Sequence, residues 1–175
     1  MSRRPRRDSQ SYGGRRDSDT FGHRLSGFVA YTISRSERST DDGAGWRLLD
    51  FDQTHVATAA LGYTRARWRV AARARYATGM PRTPVIGSYP DLQSGLSEPI
   101  FGAQNSTRLP AFFALDLRLE RSVALGRAIL TGYLELENVT DRANAEELAY
   151  NHDYSATQLI RGLPTLALAG LRLEL

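Results

Sequence analysis

Trp68-Arg69-Val70-Ala71-Ala72-Arg73-Ala74-Arg75-Tyr76 decides the fold. Trp68, Val70, Ala72, Ala74 and Tyr76 occupy one set of alternate positions, and Arg69, Ala71, Arg73 and Arg75 the other. A strand sends alternate side chains to opposite faces, so it separates these sets; a helix, with its longer period, mixes them. Phe113 to Glu120 reads the same way, with Phe113, Leu115, Leu117 and Leu119 against Ala114, Asp116, Arg118 and Glu120.

Working outward, four more segments share this period. Gly27 to Ser34 sets Val29, Tyr31 and Ile33 against Ala30, Thr32 and Ser34. His55 to Tyr63 is built of small residues, with Leu61 and Tyr63 on one side. Ala128 to Glu137 sets Leu130, Gly132, Leu134 and Leu136 against Ile129, Thr131, Tyr133, Glu135 and Glu137. Thr165 to Leu175 closes with Leu171, Leu173 and Leu175 against Arg172 and Glu174. The pattern predicts about six strands, each near the roughly 9 to 11 residues of a tilted membrane strand.

The connections alternate between long and short. Arg35–Thr54, Ala77–Leu109 and Asn138–Thr157 are long, whereas Thr64–Arg67 and Arg121–Arg127 are tight. Compact soluble domains rarely need such long loops. Outer-membrane barrels combine short periplasmic turns with long external loops. The expected fold is therefore all-β: about six antiparallel strands in up-and-down order, an incomplete transmembrane β-barrel. The apolar alternate face would meet lipid. Arg69, Arg73, Arg75, Asp116, Arg118, Glu135, Glu137, Arg172 and Glu174 would face an aqueous lumen, hydrated or paired across strands. A soluble sheet explains the alternation equally well and the loop asymmetry poorly. Known bacterial barrels begin at about eight strands, so the chain is expected to be a fragment of a longer barrel.

Composition narrows the classes. Hydrophobic residues make up 41% of the 175, and no stretch approaches the roughly 18 to 20 apolar residues of a spanning helix. Without cysteine, neither a disulfide framework nor a zinc–thiolate site can form. All 23 basic residues are arginine, a choice read mainly as the mark of a GC-rich genome. Residues 1–24 hold seven Arg and three Asp, and the rest balances sixteen Arg against sixteen acids. The net charge of +4 thus belongs to the N-terminal tail. That tail has no apolar h-region and is not a signal peptide; its composition predicts disorder. The organisation expected is a basic tail over 1–22 and a β-barrel segment over 23–175. A nucleic-acid-binding arm ranks lowest, because no aromatic interleaving or nucleic-acid module follows the tail.

Five motifs now carry a resemblance. Phe51-Asp52-Gln53-Thr54-His55 opens a strand, and Tyr76-Ala77-Thr78-Gly79-Met80-Pro81-Arg82-Thr83-Pro84-Val85 leaves one. Asn105-Ser106-Thr107-Arg108-Leu109-Pro110 leads into Leu115-Asp116-Leu117-Arg118. Glu137-Asn138-Val139-Thr140-Asp141-Arg142-Ala143-Asn144 leaves the next strand, and Gly170-Leu171-Arg172-Leu173-Glu174-Leu175 ends the chain. In order and spacing, Gly27 to Leu175 resembles the C-terminal barrel of TonB-dependent receptors. The resemblance implies energised uptake of a scarce nutrient, such as a ferric siderophore, cobalamin or an oligosaccharide, across the outer membrane of a Gram-negative bacterium. It implies as partners the outer-membrane lipid, the rest of the barrel, a plug domain that contacts the TonB complex, and the barrel-assembly machinery. It implies no enzymatic activity, cofactor or nucleic acid. The family's last residue is commonly Phe; here it is Leu175.

No catalytic constellation emerges. His23, His55 and His152 lie far apart without metal-ligand spacing. His55 reads as structural, His152 and Asp153 as a solvated loop beside Tyr150 and Tyr154, and Glu146 and Glu147 as loop solvation. Gly43 and Gly45 lack the Lys and helix of a phosphate cradle. Arg69, Arg73 and Arg75 are the candidate ligand-binding residues, a positive strip suited to an anionic substrate such as a ferric chelate. Pairing with carboxylates of a plug or a neighbouring strand is the plainer role. Trp46, Trp68, Tyr63, Tyr76 and Phe113 fall near predicted strand ends, where a membrane interface or ordinary strand propensity would place them. The competing function is a soluble β-sheet binding module with ligand-contacting loops.

Overall fold

The computed structural model describes residues 24–39 and 46–175, and every regular element among them is a β-strand. The basic tail, His23, Gly43 and Gly45 lie outside the described residues. Arg24–Ile33 (β1) is followed by Glu37–Ser39 (β2) and Trp46–Leu48 (β3), which pair as a small ribbon. His55–Arg65 (β4) turns through Ala66 and Arg67 into Trp68–Ala77 (β5). Pro81–Arg82 (β6) and Val85–Pro90 (β7) lead away from the sheet, and Ser97–Phe101 (β8) and Thr107–Arg108 (β9) lead back beside them. Phe112–Leu125 (β10) turns at Gly126 and Arg127 into Ala128–Glu137 (β11). Ala145–Tyr150 (β12) and Thr157–Arg161 (β13) form another ribbon before Leu166–Glu174 (β14).

The six long strands make one antiparallel sheet in the order β1-β4-β5-β10-β11-β14. Each long strand lies next to the one before it, which is the expected up-and-down order. The five ladders run without a register shift, so alternation along one strand continues across all of them. The sheet is open, with β1 and β14 at its edges.

The structure corrects two expectations. The strand expected to stop at Glu120 continues to Leu125, and the tight connection shrinks to a turn at Gly126 and Arg127. Gly126 takes a φ of 66°, and Ala66 in the equivalent turn takes 52°. Ser122 and Val123 continue the alternation, and the hydroxyls of Ser122 and Thr131 meet at 2.9 Å across the ladder. The long connections, expected as loops, carry four two-stranded ribbons among the described residues. Pro81, Pro90 and Pro99 hide them in the sequence, because proline argues against strand. A two-stranded ribbon tolerates proline, since one side of each strand has no ladder to supply.

Burial is inverted relative to a soluble domain. Among the described residues the buried apolar side chains are Ala77, Pro81, Leu109 and Ala114, all small or at the loop rim. The buried polar ones are Asp52, Asn105, Asp116, Thr131, Asn138 and Asn144. Val29 is 80% exposed and Leu171 76%, while Asp116 is 3% exposed. Leu61, Val70, Leu117, Leu119, Leu134 and Leu173 are exposed on the same face as these two.

Where the sheet meets the ribbons, the sequence motifs lock together. The Asp52 carboxylate accepts from the Ser36 amide at 2.7 Å, from the Thr54 hydroxyl at 3.0 Å, and from the Arg108 guanidinium. Arg108 Nη1 also donates to the carbonyls of Asp52 and Gly79, each at 2.9 Å. Asn105, at φ 54°, donates through its amide to Leu48 O at 2.7 Å and to Asp50 Oδ1 at 2.6 Å. Asn144 imitates a strand neighbour: its Oδ1 accepts from Phe113 N and its Nδ2 donates to Phe113 O, both at 2.9 Å. The ribbons brace one another through Arg82 and Glu147, with two contacts of 3.1 Å, and through Ser88 Oγ, which donates to Asp153 O at 2.6 Å.

Gly79 is the closest of these approaches. A Cβ there would lie 1.7 Å from the carbonyl oxygen of Leu109, whose amide donates to Met80 O at 2.9 Å. Gly79→Ala must push the two segments apart, at a cost of about 1–3 kcal/mol. Hydrogen exchange at the Leu109 amide should then speed up at least about tenfold; unchanged protection would mean the two segments yield at no cost.

Candidate functional site

The polar face of the sheet carries the expected charges, and the register decides which of them meet. Arg73 lies directly opposite Asp116, with Arg75 on the diagonal. Arg73 Nε and Nη2 each approach Asp116 Oδ2 at 2.9 Å, and Arg75 Nη2 approaches it at 3.1 Å. The Asn138 amide donates to Asp116 Oδ1 at 3.0 Å. One nearly buried carboxylate thus holds two arginines and a backbone N–H, a set that satisfies its lone pairs.

A second cluster lies beside it. Arg118 donates to Glu120 at 2.7 Å along its own strand and to Glu135 at 2.6 Å across the ladder. Its guanidinium lies 4.2 Å from the centre of the Tyr133 ring. Tyr133 in turn covers Gly170, where a Cβ would fall 2.5 Å from the phenol oxygen. Arginine, aromatic ring and bare backbone therefore stack in that order.

The three candidate arginines end in different states. Arg73 and Arg75 share Asp116, which offsets one of their two charges. Arg69 is exposed and has no hydrogen-bond or ion-pair partner among the described residues. The positive strip read from the sequence is thus one free charge beside an arginine pair half-compensated by a single carboxylate. Sequence reasoning lists same-face residues but not partners on other strands, and here the neighbouring strand decides the electrostatics.

The structure places two of the histidines and the loop acids as follows. His55 Nδ1 sits 2.7 Å from the Tyr31 hydroxyl, with the rings stacked at 6.1 Å, on the apolar face. Tyr150 and Tyr154 pack at 5.7 Å beside His152. Glu147 pairs with Arg82. Glu146 does not, and its carboxylate lies over Gly162, where a Cβ would fall 2.6 Å from its oxygen. No group of three or more metal-ligating side chains occurs among the described residues.

A cavity of about 490 Å³ opens at the loop rim of the polar face, in the size range of small-molecule sites. Met80, Leu109, Phe112 and Leu163 supply its apolar wall, and Arg75, Glu137 and Glu146 its charges. A shallower trough of about 460 Å³ crosses the middle of the face, between Phe28, Gly62, Arg69 and Arg118. The rim cavity was not legible in the sequence, because its walls come from segments up to about a hundred residues apart. The single hint was the run of motifs that bring those segments together. Compared with known proteins, the chain matches no family model, no curated protein and no solved structure.

Two predictions follow from the charges. Asp116→Asn leaves Arg73 and Arg75 side by side with a neutral amide, and it should destabilise the sheet by about 1.5–3 kcal/mol. Denaturant unfolding in detergent measures this, and Arg73→Gln in the same background should recover part of the loss. The second concerns acid. Burial pushes the Asp52 carboxyl up, but its bonds from Arg108, the Ser36 amide and Thr54 outweigh burial and hold it below the ordinary carboxylate range. Its contribution is therefore complete above the unfolded pKa of about 3.9 and is lost as pH falls through the lower folded value. The Ser36 amide resonance should report a midpoint below about pH 3.9 and should cease to titrate in Asp52→Asn.

Proposed function

We propose that the chain is the C-terminal segment of an outer-membrane TonB-dependent receptor, which takes up a scarce nutrient such as a ferric siderophore, cobalamin or an oligosaccharide. The observation that carries the membrane part of this reading is the inverted burial. A soluble sheet with a continuous outward face of Val29, Leu61, Val70, Leu117, Leu119, Leu134 and Leu171 would expose far more apolar area than water tolerates. In a bilayer that face is solvated by acyl chains, while the charged face turns toward an aqueous lumen.

The aromatic residues support the same orientation. Tyr31, Tyr76 and Phe113 fall in one row across the sheet, because Tyr31 pairs with Ala57, Ala57 with Tyr76, and Tyr76 with Phe113. Trp68 and Tyr63 lie toward the tight-turn rim. Trp68 and Tyr76 are eight residues apart, about 26 Å along the strand and about 20 Å after tilting, close to the roughly 25 Å apolar band of such barrels. Arg121 stacks over Trp68 at 5.0 Å, placing its charge at that same rim. The open sheet supports a segment of a larger barrel, because unpaired edges in lipid leave backbone groups unsatisfied. The receptor assignment rests on the five motifs and on their convergence at the loop rim. On this reading the partners are lipid, the remaining strands, a plug domain and, through that plug, the TonB complex. The chain carries no enzymatic role, and its place is the outer membrane.

The soluble binding-module reading predicts the opposite response to one substitution. Leu117→Arg places a charge in the middle of the apolar face, between Ala72 and Leu136. In lipid vesicles it should destabilise the folded chain by about 2–4 kcal/mol. A gain in solubility without detergent, at unchanged stability, would remove the membrane reading. The receptor assignment is tested separately by the coding DNA upstream, which should encode a plug and about sixteen further alternating strands.

A further inference from the structure

We propose that the cavity at the loop rim binds a small organic cation: an ammonium group attached to an apolar body and carrying a carbonyl or hydroxyl oxygen. The proposal rests on the outer-membrane reading only in making this rim the external, ligand-facing one. The site itself stands on the cavity.

Charge comes first. Of the three charged residues lining the cavity, Arg75 shares the single charge of Asp116 with Arg73. Glu137 and Glu146 have neither a hydrogen bond nor an ion pair among the described residues. Two unpaired acids outweigh the one surplus arginine charge, so the cavity is net negative, opposite in sign to the ligand that the arginine strip would take. Glu137 is half-buried at the end of β11, and Glu146 reaches over Gly162 from β12. The absence of a side chain at Gly162 keeps that carboxylate at the cavity wall.

Shape and polarity complete the assignment. Met80, Leu109, Phe112 and Leu163 offer an apolar surface opposite these acids. A volume of about 490 Å³ accommodates a single-ring or short-chain amine. Arg75 adds a specific requirement, because its Nε–H is buried without an acceptor. A buried donor left unpaired is costly, and a ligand oxygen would satisfy it. The neighbouring polar groups of Asn138 and Asn144 are occupied in holding the strand ends, so they do not compete for the ligand.

The test uses the full chain folded in detergent micelles and two probes of matched shape. Phenylalaninamide offers an ammonium, a carbonyl and a ring; N-acetylphenylalanine offers the same ring with a carboxylate. Saturation-transfer NMR and calorimetry should detect binding of phenylalaninamide and little of N-acetylphenylalanine. Glu137→Gln and Glu146→Gln together should weaken phenylalaninamide binding by about tenfold or more, and Gly162→Ala should weaken it by displacing Glu146. Binding should also weaken with salt. Preference for N-acetylphenylalanine, equal binding of both probes, binding of neither, or insensitivity to the double variant would each overturn the proposal. Quenching of Trp68 by brominated lipids, measured in vesicles on a Trp46→Phe variant, reports membrane insertion independently. Quenching without cation binding removes the site and leaves the membrane reading intact; cation binding without quenching does the reverse.

Discussion

Six paired strands whose ladders contain no register slip force alternate residues of each strand onto opposite faces of one sheet. The rest of the molecule depends on that constraint. A slip of one residue at the β5–β10 ladder would carry Arg73 into the row of Leu117 and Leu115. Because the register holds, Asp116 meets Arg73 and Arg75, Arg118 meets Glu135, and Val29, Leu61, Val70, Leu117, Leu134 and Leu171 share the opposite surface. The charges stabilise the register by pairing, and the register makes the pairs possible.

The loop rim applies the same logic to irregular backbone. The chain leaves the sheet on long excursions, and each departure must satisfy carbonyls and amides that a ladder no longer serves. Asp52, Arg108, Asn105, Asn138 and Asn144 do this with side chains, and nearly all are buried. The Thr165 hydroxyl donates to Asn138 O at 2.8 Å, and the Val139 amide donates to Leu115 O at 2.7 Å, extending the network to the last strand. These residues dominated the motifs by which the chain resembled a receptor family, and in the structure their visible work is fastening strand ends.

The long strands were legible because alternation of Leu and Arg is a local signal that no other element produces. Their extents were less so: Ser122, Val123 and Ala124 are small or weakly polar, and the end of β10 was placed five residues early. The ribbons were illegible because they are short, interrupted by Pro81, Pro90 and Pro99, and held by partners such as Tyr150 and Asp153 from a distant segment. The candidate arginines were correctly placed on one face, yet their electrostatic state depended on Asp116, some forty residues on. Glu137 and Glu146 carried no mark in the sequence at all; one reads as a strand residue and the other as loop solvation, and only the fold brings them to one cavity.

An even number of long strands has a topological consequence. Arg24 pairs with Thr64 and Glu174 with Ile129, so the first and last strands begin and end at the tight-turn rim. A segment that enters and leaves on the same side can be duplicated, spliced or deleted in units of a hairpin without inverting anything on either side of it. Growth or shrinkage of such a gene by whole hairpins therefore preserves which rim carries the ribbons and which the tight turns, and ancestry by hairpin duplication would leave the direction of every neighbouring strand untouched.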